Sequence, residues 1–424
     1  MHSRIHRAEA ALESRRRIEV NSLFSFELQY NQGRARAGAF TTAHGVVTTP
    51  VFMPVATQAS VKSLTPDEVV DLGAQIILSN AYHLYLQPGV EQVRELGGLH
   101  RFMGWSKPVL TDSGGFQAFS MGALRKIDDS GIRFRSHLDG SEHQFTPRLA
   151  TGNQQTLGAD IIMCLDQCIA HGVSKQEVKN AMERTHVWAQ QCHRVFNDAG
   201  SARDQAVFGQ VLFGIVQGGA FPDLREESSK FITSIPFQGY AIGGLAVGES
   251  KEQMYEITEQ VAGHLPVDKP RYLMGVGSPE DLVEGVAQGV DMFDCVLPTR
   301  VARHGALFTN QGRVDITKHR FSQINQPIDE DCDCYTCRNF TAAYLWHLFR
   351  AKELLALRLA SIHNLRFVIR LMEKMRAAII AGTFDRFRRE FRDTYRPTNA
   401  EARQEHKDRW LESRSRPPKN FESG

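Results

Sequence analysis

The chain lacks any apolar run of about 20 residues, the length a membrane-spanning helix needs, so no such span is expected. It also lacks an excess of either charge: 50 Lys and Arg against 48 Asp and Glu leave a net +2. No global field therefore marks a polyanionic partner, and any contact of that kind must use a local patch. Cysteine is scarce, with seven in 424 residues, and the odd number argues against a disulfide framework. A reducing compartment, the cytoplasm, is the expectation. There is no internal repeat. No His-x-His pair stands at a strand end, which weighs against a metal-dependent barrel hydrolase. Residues 1–22 carry several arginines, but Glu9, Glu13 and Glu19 interrupt them and no apolar core follows, so they read as an extension rather than a targeting segment.

What is present is ordinary globular material, 42% hydrophobic and 23% charged, enough for one large domain or two smaller ones. Short, continuously apolar runs at 75–78, 108–111, 160–165, 212–216, 240–242, 272–274 and 292–293 predict strands covered on both faces. Amphipathic stretches at 177–196, 251–265 and 279–288 predict helices between them. With an eighth strand near 48–55, the alternation predicts a closed (β/α)8 TIM barrel. Asp112, Asp166, Gln217, Gly243, Gly244, Gly275 and Asp294 fall at the strand ends, which in a barrel converge on one face. A lone Asp there would read as a helix cap; several polar groups together read as a pocket. The composition changes after about Arg303. The expected layout is a flexible extension (1–22), a barrel (23–303), a zinc-binding helical region packed on it (304–385), and a basic tail (386–424), with 405–424 disordered.

Cys332-x-Cys334-x2-Cys337 brings three thiols within six residues. A fourth ligand must come from elsewhere: His363 is the best candidate, with His319 and His347 as the other options. A Cys3His set is a closed tetrahedral zinc site with no open position, so one structural Zn2+ is expected.

Two acidic segments carry the chemistry. In Thr111-Asp112-Ser113-Gly114-Gly115-Phe116-Gln117, a strand-end acid precedes glycines that let backbone approach a ligand, and Phe116 offers a stacking face. In Asp294-Cys295-Val296-Leu297-Pro298-Thr299-Arg300, a second acid stands beside a basic run that continues to Arg303. Arginines on phosphates with an acid at the sugar suit a phosphodiester-linked substrate.

These segments, with Asn80-Ala81-Tyr82-His83-Leu84, Gly214-Ile215-Val216-Gln217-Gly218-Gly219, Gly243-Gly244-Leu245-Ala246-Val247-Gly248-Glu249 and Tyr272-Leu273-Met274-Gly275-Val276-Gly277, resemble in order the queuine tRNA-ribosyltransferase family, the tRNA-guanine transglycosylases, over about residues 24–385. The resemblance implies that Asp294 attacks C1′ of the target guanosine, expelling guanine and forming a covalent ribosyl-enzyme. Asp112 would act as general acid/base on the incoming base, with net retention.

It further implies that Asp166 accepts from the N1–H and 2-amino group of the base. Gln217 and the Gly244 N–H would donate to O6, and Phe116 and Met274 would sandwich the ring. The Leu245 carbonyl, backed by Glu249, would receive the ammonium of 7-aminomethyl-7-deazaguanine (preQ1). Val247 is the residue associated with preQ1 rather than queuine. Ser113, Gly114, Gly115 and Gly243 complete the base site. The anticodon-binding segments would be Gly275, Val276, Gly277, Ser278, Pro279, Glu280 and Asp281, together with Thr299, Arg300, Val301, Ala302 and Arg303. The expected substrates are tRNAs with G-U-N anticodons, for Asp, Asn, His and Tyr. Tyr344 and His347 fall where the family builds a homodimer interface.

Two positions depart from the pattern: Gln167 stands where Asp-Glu-Cys is usual, and His304 where bacterial members often have Asn. A queuine-using enzyme and a non-catalytic tRNA-binding subunit are the alternatives; the latter would be expected to lose pocket acids, and this chain keeps them.

Overall fold

The structure is a computed structural model that describes residues 24–119, 125–198 and 209–397. The expected extension 1–22 and disordered stretch 405–424 lie outside the described residues. Eight parallel staves form the centre: β1 (Val51–Met53 and Val55–Ala56), β2 (Ile77–Asn80), β3 (Val109–Asp112), β4 (Ile161–Met163), β5 (Val211–Val216), β6 (Gly239–Ile242), β7 (Arg271–Leu273) and β8 (Met292–Asp294). The two outermost strands of this sheet are the two halves of β1, one paired to β8 and the other to β2. Pro54 between them has no N–H to give a ladder. Its carbonyl still accepts from Leu78, so one stave bridges both edges and the barrel closes.

The expected strands are all found, displaced by one to three residues. Every residue of β5 is buried, because helices cover one face and barrel side chains the other. The interior is filled by Val51, Met53, Leu78, Leu110, Met163, Phe213, Ile215 and Met292. An antiparallel meander, Ser25–Gln32, Ala35–Thr42 and Gly45–Thr49, was not legible in the sequence. It closes the N-terminal end of the barrel with Phe40 and Val47, and Phe24 stands edge-on to Phe213.

The helices begin where local chemistry directs. Ser174 and Glu177 form a capping box for Lys175–Asn197, and Thr146 followed by Pro147 starts Pro147–Leu157. A three-stranded insertion, Arg125–Asp128, Gly131–Arg135 and Glu142–Phe145, follows β3. The helical stretch expected at 345–380 is two helices, Ala342–Ala351 and Leu354–Ile380, broken where Lys352 adopts a left-handed φ of 58°. The longer one packs on β1 and on Pro279–Ala287, completing the outer ring of the barrel. The first part of the stretch read as a basic tail is also helical, Phe384–Thr394. Its Arg388 and Arg392 both reach Glu284 of the helix Pro279–Ala287. No helix among the described residues is long and apolar enough to cross a membrane.

Candidate active site

Two carboxylates end neighbouring parts of the barrel rim. The parallel register sets Asn80 opposite Asp112, so the Asn80 amide donates to Asp112 Oδ2. Gln117 Nε2 donates to the same oxygen at 2.6 Å, and the Ala81 N–H to Oδ1 at 3.0 Å. Burial nevertheless pushes the Asp112 pKa up to about 6, against those three donors and with the charge of Asp294 adding to the rise. Asp294 Oδ1 accepts from the Tyr272 hydroxyl at 2.6 Å and the Gly275 N–H at 2.8 Å. Its Oδ2 has no hydrogen-bond partner among the described residues. Burial raises this carboxyl too, opposed by Tyr272 and Gly275. One carboxylate is thus held on both oxygens, while the other is fixed by one and presents the second.

The rim between them carries polar side chains and closely packed glycines. Asp166 Oδ2 accepts from Gln217 Nε2 at 2.7 Å, and burial pushes its pKa up to about 6. The other hydrogen of that amide has no partner among the described residues. Gly115 passes so close that a Cβ there would stand 2.7 Å from the Asp166 carbonyl oxygen. Gly244 has φ +66°, and a Cβ would lie 2.3 Å from Gln217 Oε1, so both positions require glycine. Phe116 is 51% exposed despite its size, as a stacking platform must be. Met274 packs from the barrel interior. Glu249 accepts from the Val247 N–H at 3.1 Å and from the Ala246 N–H. A cavity of about 190 Å³ lies between Gly244, Leu245, Val247 and Glu249 on one side and residues 169–173 on the other. Ser113, Gly114 and Gly243 are buried in the same rim.

Beyond Asp294, the helix Leu297–Ala302 presents Arg300 to solvent, its guanidinium with no hydrogen bond or ion pair among the described residues. Arg303 is half-buried with its Nη1 unpartnered. Burial and the Arg300 charge both depress its pKa. Two guanidiniums without partners among the described residues make a local positive charge that the net charge hides. Thr299 and Ala302 are buried and Val301 is half-buried, so these three shape the helix rather than its outer face. The His304 Nδ1 bonds the Arg300 carbonyl at 2.8 Å, closing the end of this helix. In the other expected segment, Ser278 Oγ donates to Asp281 Oδ2 at 2.5 Å, and Lys251 Nζ binds Glu280 at 2.8 Å and Asp281. Gly275 is exposed there, whereas Val276, Gly277 and Pro279 are buried.

The Cys332, Cys334, Cys337 and His363 side chains converge in one buried cluster far along the chain from these acids. His363 Nε2 bonds the Phe308 carbonyl at 2.6 Å, which turns Nδ1 to the thiols, 3.2 Å from Cys337 Sγ and 3.7 Å from Cys334 Sγ. Three sulfurs and one imidazole lone pair fit a single metal ion, and the carbonyl fixes the tautomer that binding needs. His319 and His347 are not in the cluster. A second grouping, His44, His100 and Asp160, has its imidazoles stacked 3.6 Å apart at 15°. One nitrogen of each ring is directed at the Asp160 carboxylate. Asp160 accepts from His44 Nδ1 at 2.8 Å, His100 Nε2 at 3.1 Å and the Val109 N–H at 2.9 Å, a clamp between meander and barrel.

Three residues escaped the sequence reading: two act on backbone and the third on side chains of other segments. Arg225 sits beneath the Gln217 and Gly244 loops. Asn364, beside His363, donates to the Pro298 carbonyl at 3.0 Å and the Ala306 carbonyl at 2.9 Å, and accepts from the Phe308 N–H at 2.9 Å. Arg184 holds the Gln167 Oε1 at 2.7 Å and Asp129 of the insertion at 3.0 Å. Gln167 thus takes a structural contact.

The fold and rim define a (β/α)8-barrel enzyme of the two-carboxylate kind, whose metal-type donor cluster stands apart from those carboxylates. Residues 31–397 match the queuine tRNA-ribosyltransferase family, and the chain belongs to it. A relative from Herpetosiphon aurantiacus is 57% identical over 364 residues, 86% of this chain and 91% of its own length. One from Moorella thermoacetica is 54% identical, covering 85% and 94%. One from Dehalococcoides mccartyi is 50% identical over 396 residues, covering 93% and 99%. Each bears the name queuine tRNA-ribosyltransferase.

Proposed function

We propose that the chain is a tRNA-guanine transglycosylase that replaces guanine at the wobble position of G-U-N anticodons with preQ1. The observation that carries this reading is the unequal fastening of the two acids: Asp294 keeps Oδ2 open, while Asp112 is held on both oxygens and its pKa is raised by burial. Asp294 Oδ2 attacks C1′ of the ribose and the C1′–N9 bond breaks, giving a ribosyl ester and guanine, whose N9 takes the proton carried by Asp112. Asp112 then takes the N9 proton of the incoming base, whose nitrogen attacks C1′ from the vacated face and frees Asp294.

Asp166 accepts from N1–H and the 2-amino group. Gln217 and the Gly244 N–H meet O6, and Phe116 and Met274 enclose the ring. An ammonium at C7 reaches the Leu245 carbonyl: the trans peptide turns that oxygen away from Glu249, which holds the Ala246 N–H. Val247 narrows the neighbouring space, favouring preQ1 over queuine. Arg300 and Arg303 take anticodon phosphates, and residues 275–281 line the loop path. The four-donor cluster holds Zn2+, which braces residues 304–385 against the barrel and supplies no chemistry at the ribose.

A second copy of the chain is the proposed partner over Tyr335, Tyr344 and Leu354, exposed by 58%, 38% and 80%, with the enzyme residing in the cytoplasm beside its tRNA. The test is exchange of labelled guanine into a G-U-N tRNA, with preQ1 and queuine in parallel. Asp294→Asn should lower exchange by at least about 10³-fold and abolish a denaturant-stable tRNA adduct. Undiminished exchange would remove Asp294 as nucleophile.

A further inference from the structure

Arg225 is wholly buried, and no carboxylate pairs with it among the described residues. Burying an unpaired guanidinium is costly; here every hydrogen bond that offsets the cost comes from backbone, with the more distant Glu249 charge adding to that offset. Its Nε donates to the Gly219 carbonyl at 2.8 Å, Nη1 to those of Val216 at 3.0 Å and Gly243 at 2.8 Å, and Nη2 to that of Gly244 at 3.3 Å. Two adjacent strand-end turns, one after β5 and one after β6, are tied to a single rigid fork. Gly218 makes room for it: with φ +137°, a Cβ there would stand 2.8 Å from Arg225 N and 3.1 Å from its Cδ.

The consequence for the ligand follows from peptide planarity. In a trans peptide, C=O and N–H point in opposite directions. Drawing the Gly243 carbonyl inward to Arg225 turns the Gly244 N–H outward, toward the side where Gln217 lies against Gly244. The same holds for the Gly244 carbonyl and the Leu245 N–H. Neither N–H has a hydrogen-bond partner among the described residues, so both are donors held ready rather than spent.

We infer that Arg225 is the positioning residue for recognition of the 6-oxygen of the base: by gripping the Gly243 and Gly244 carbonyls from below, it aims the Gly244 N–H at that oxygen. The inference rests on the transglycosylase reading above. Arg225 does not touch the base; it acts through the two peptides. Lysine can keep the charge but cannot hold four carbonyls in the geometry of a planar fork.

The experiment compares 7-aminomethyl-7-deazaguanine with its counterpart lacking the 6-oxygen, each competing against labelled guanine for exchange into a G-U-N tRNA. Wild type should prefer the 6-oxo base. Arg225→Lys should lower the affinity for the 6-oxo base tenfold or more while leaving that for the 6-deoxo base, which lacks N1–H in either protein, within about twofold, so the discrimination ratio falls at least about fivefold. Gly218→Ala, which pushes on the guanidinium while leaving it in place, should move the ratio in the same direction and serves if Arg225→Lys folds poorly. A merely structural role would weaken both bases together. Equal losses for both bases, or an unchanged ratio in both variants, overturns the positioning role while wild-type exchange leaves the enzymatic reading standing. Wild-type protein that exchanges no guanine overturns the reading and this inference with it.

Discussion

Asp112 shows how a single side chain is tuned. Three donors on a carboxylate would ordinarily hold its pKa below the usual value near 4, yet burial dominates and pushes it up to about 6. A group that must take a proton from an incoming base gains from this, since a stronger base with a pKa nearer neutrality is the better acceptor. The direction of the pH effect follows. The charged form exists above the pKa, so kcat/KM for base exchange should rise with pH to a plateau, with its midpoint near 6. Asp166, also raised to about 6, must be charged to accept two donors and steepens the same limb. Rates measured from pH 4.5 to 8 should show this limb in wild type, and Asp112→Asn should reduce the plateau severely. A midpoint at 4 or below would mean that the acids are solvated in the working enzyme and that burial is not what tunes them. The acids themselves were legible in the sequence because a polar residue ending an apolar run is conspicuous. Arg225 and Asn364 were not: each spends its hydrogen bonds on carbonyls supplied by distant segments, and no local pattern records that.

At the scale of elements, the barrel strands were readable because two-sided burial writes continuous apolar runs, and helices such as Lys175–Asn197 because capping and amphipathicity agree. The meander and the insertion after β3 were not, since short strands with one face exposed carry a weak pattern. The long helix Leu354–Ile380 was anticipated as helical, but its place in the barrel wall was not. It links the Cys3His cluster to the arginine-bearing helix: His363 is a ligand candidate, and the next residue, Asn364, clasps the Pro298 and Ala306 carbonyls on either side of Arg300 and Arg303. Asn364→Ala would leave two buried carbonyls and one N–H unmet, and should destabilise the fold by roughly 3 kcal/mol, read as a lowered Tm. Chelating the metal should loosen the same clasp, weakening tRNA affinity more than the turnover of bound tRNA. Equal losses in the two would assign the metal a wider role.

The meander has its own fastening, which gives a second pH effect of opposite sign. Hydrogen bonding to Asp160 raises the His44 pKa, against the opposing effect of burial. A raised pKa in the folded state means that the stabilisation is fully present below the ordinary histidine value and fades as pH rises through the folded one. Thermal melts between pH 5.5 and 8.5 should therefore show wild type losing more stability with rising pH than His44→Asn. Parallel curves would show that the clamp works as a neutral hydrogen-bond pair.

For the whole molecule, a net charge of +2 conceals how the arginines are spent. Arg36 is paired with Asp291, Arg366 with Asp333 and Glu373, and Arg388 and Arg392 with Glu284. Arg225 is committed to carbonyls, and Arg376 donates to the Gly38 and Thr49 carbonyls. Arg300 and Arg303 stand out because no group among the described residues pairs with their guanidiniums. A polyanion would therefore be drawn to one place, although the molecule as a whole attracts it little. Each phosphate neutralised by such a residue releases counterions, so the slope of log K against log salt for tRNA binding counts them. Arg300→Ala and Arg303→Ala should each reduce that slope by roughly 0.7 to 1, and the double variant by roughly the sum, with binding of the free base unchanged. Arg366→Ala, which breaks an internal ion pair, should leave the slope alone. If the slope stayed at its wild-type value in the double variant, the phosphates would be held by another face of the barrel, and the acid beside these arginines would have to find its ribose by the base pocket alone.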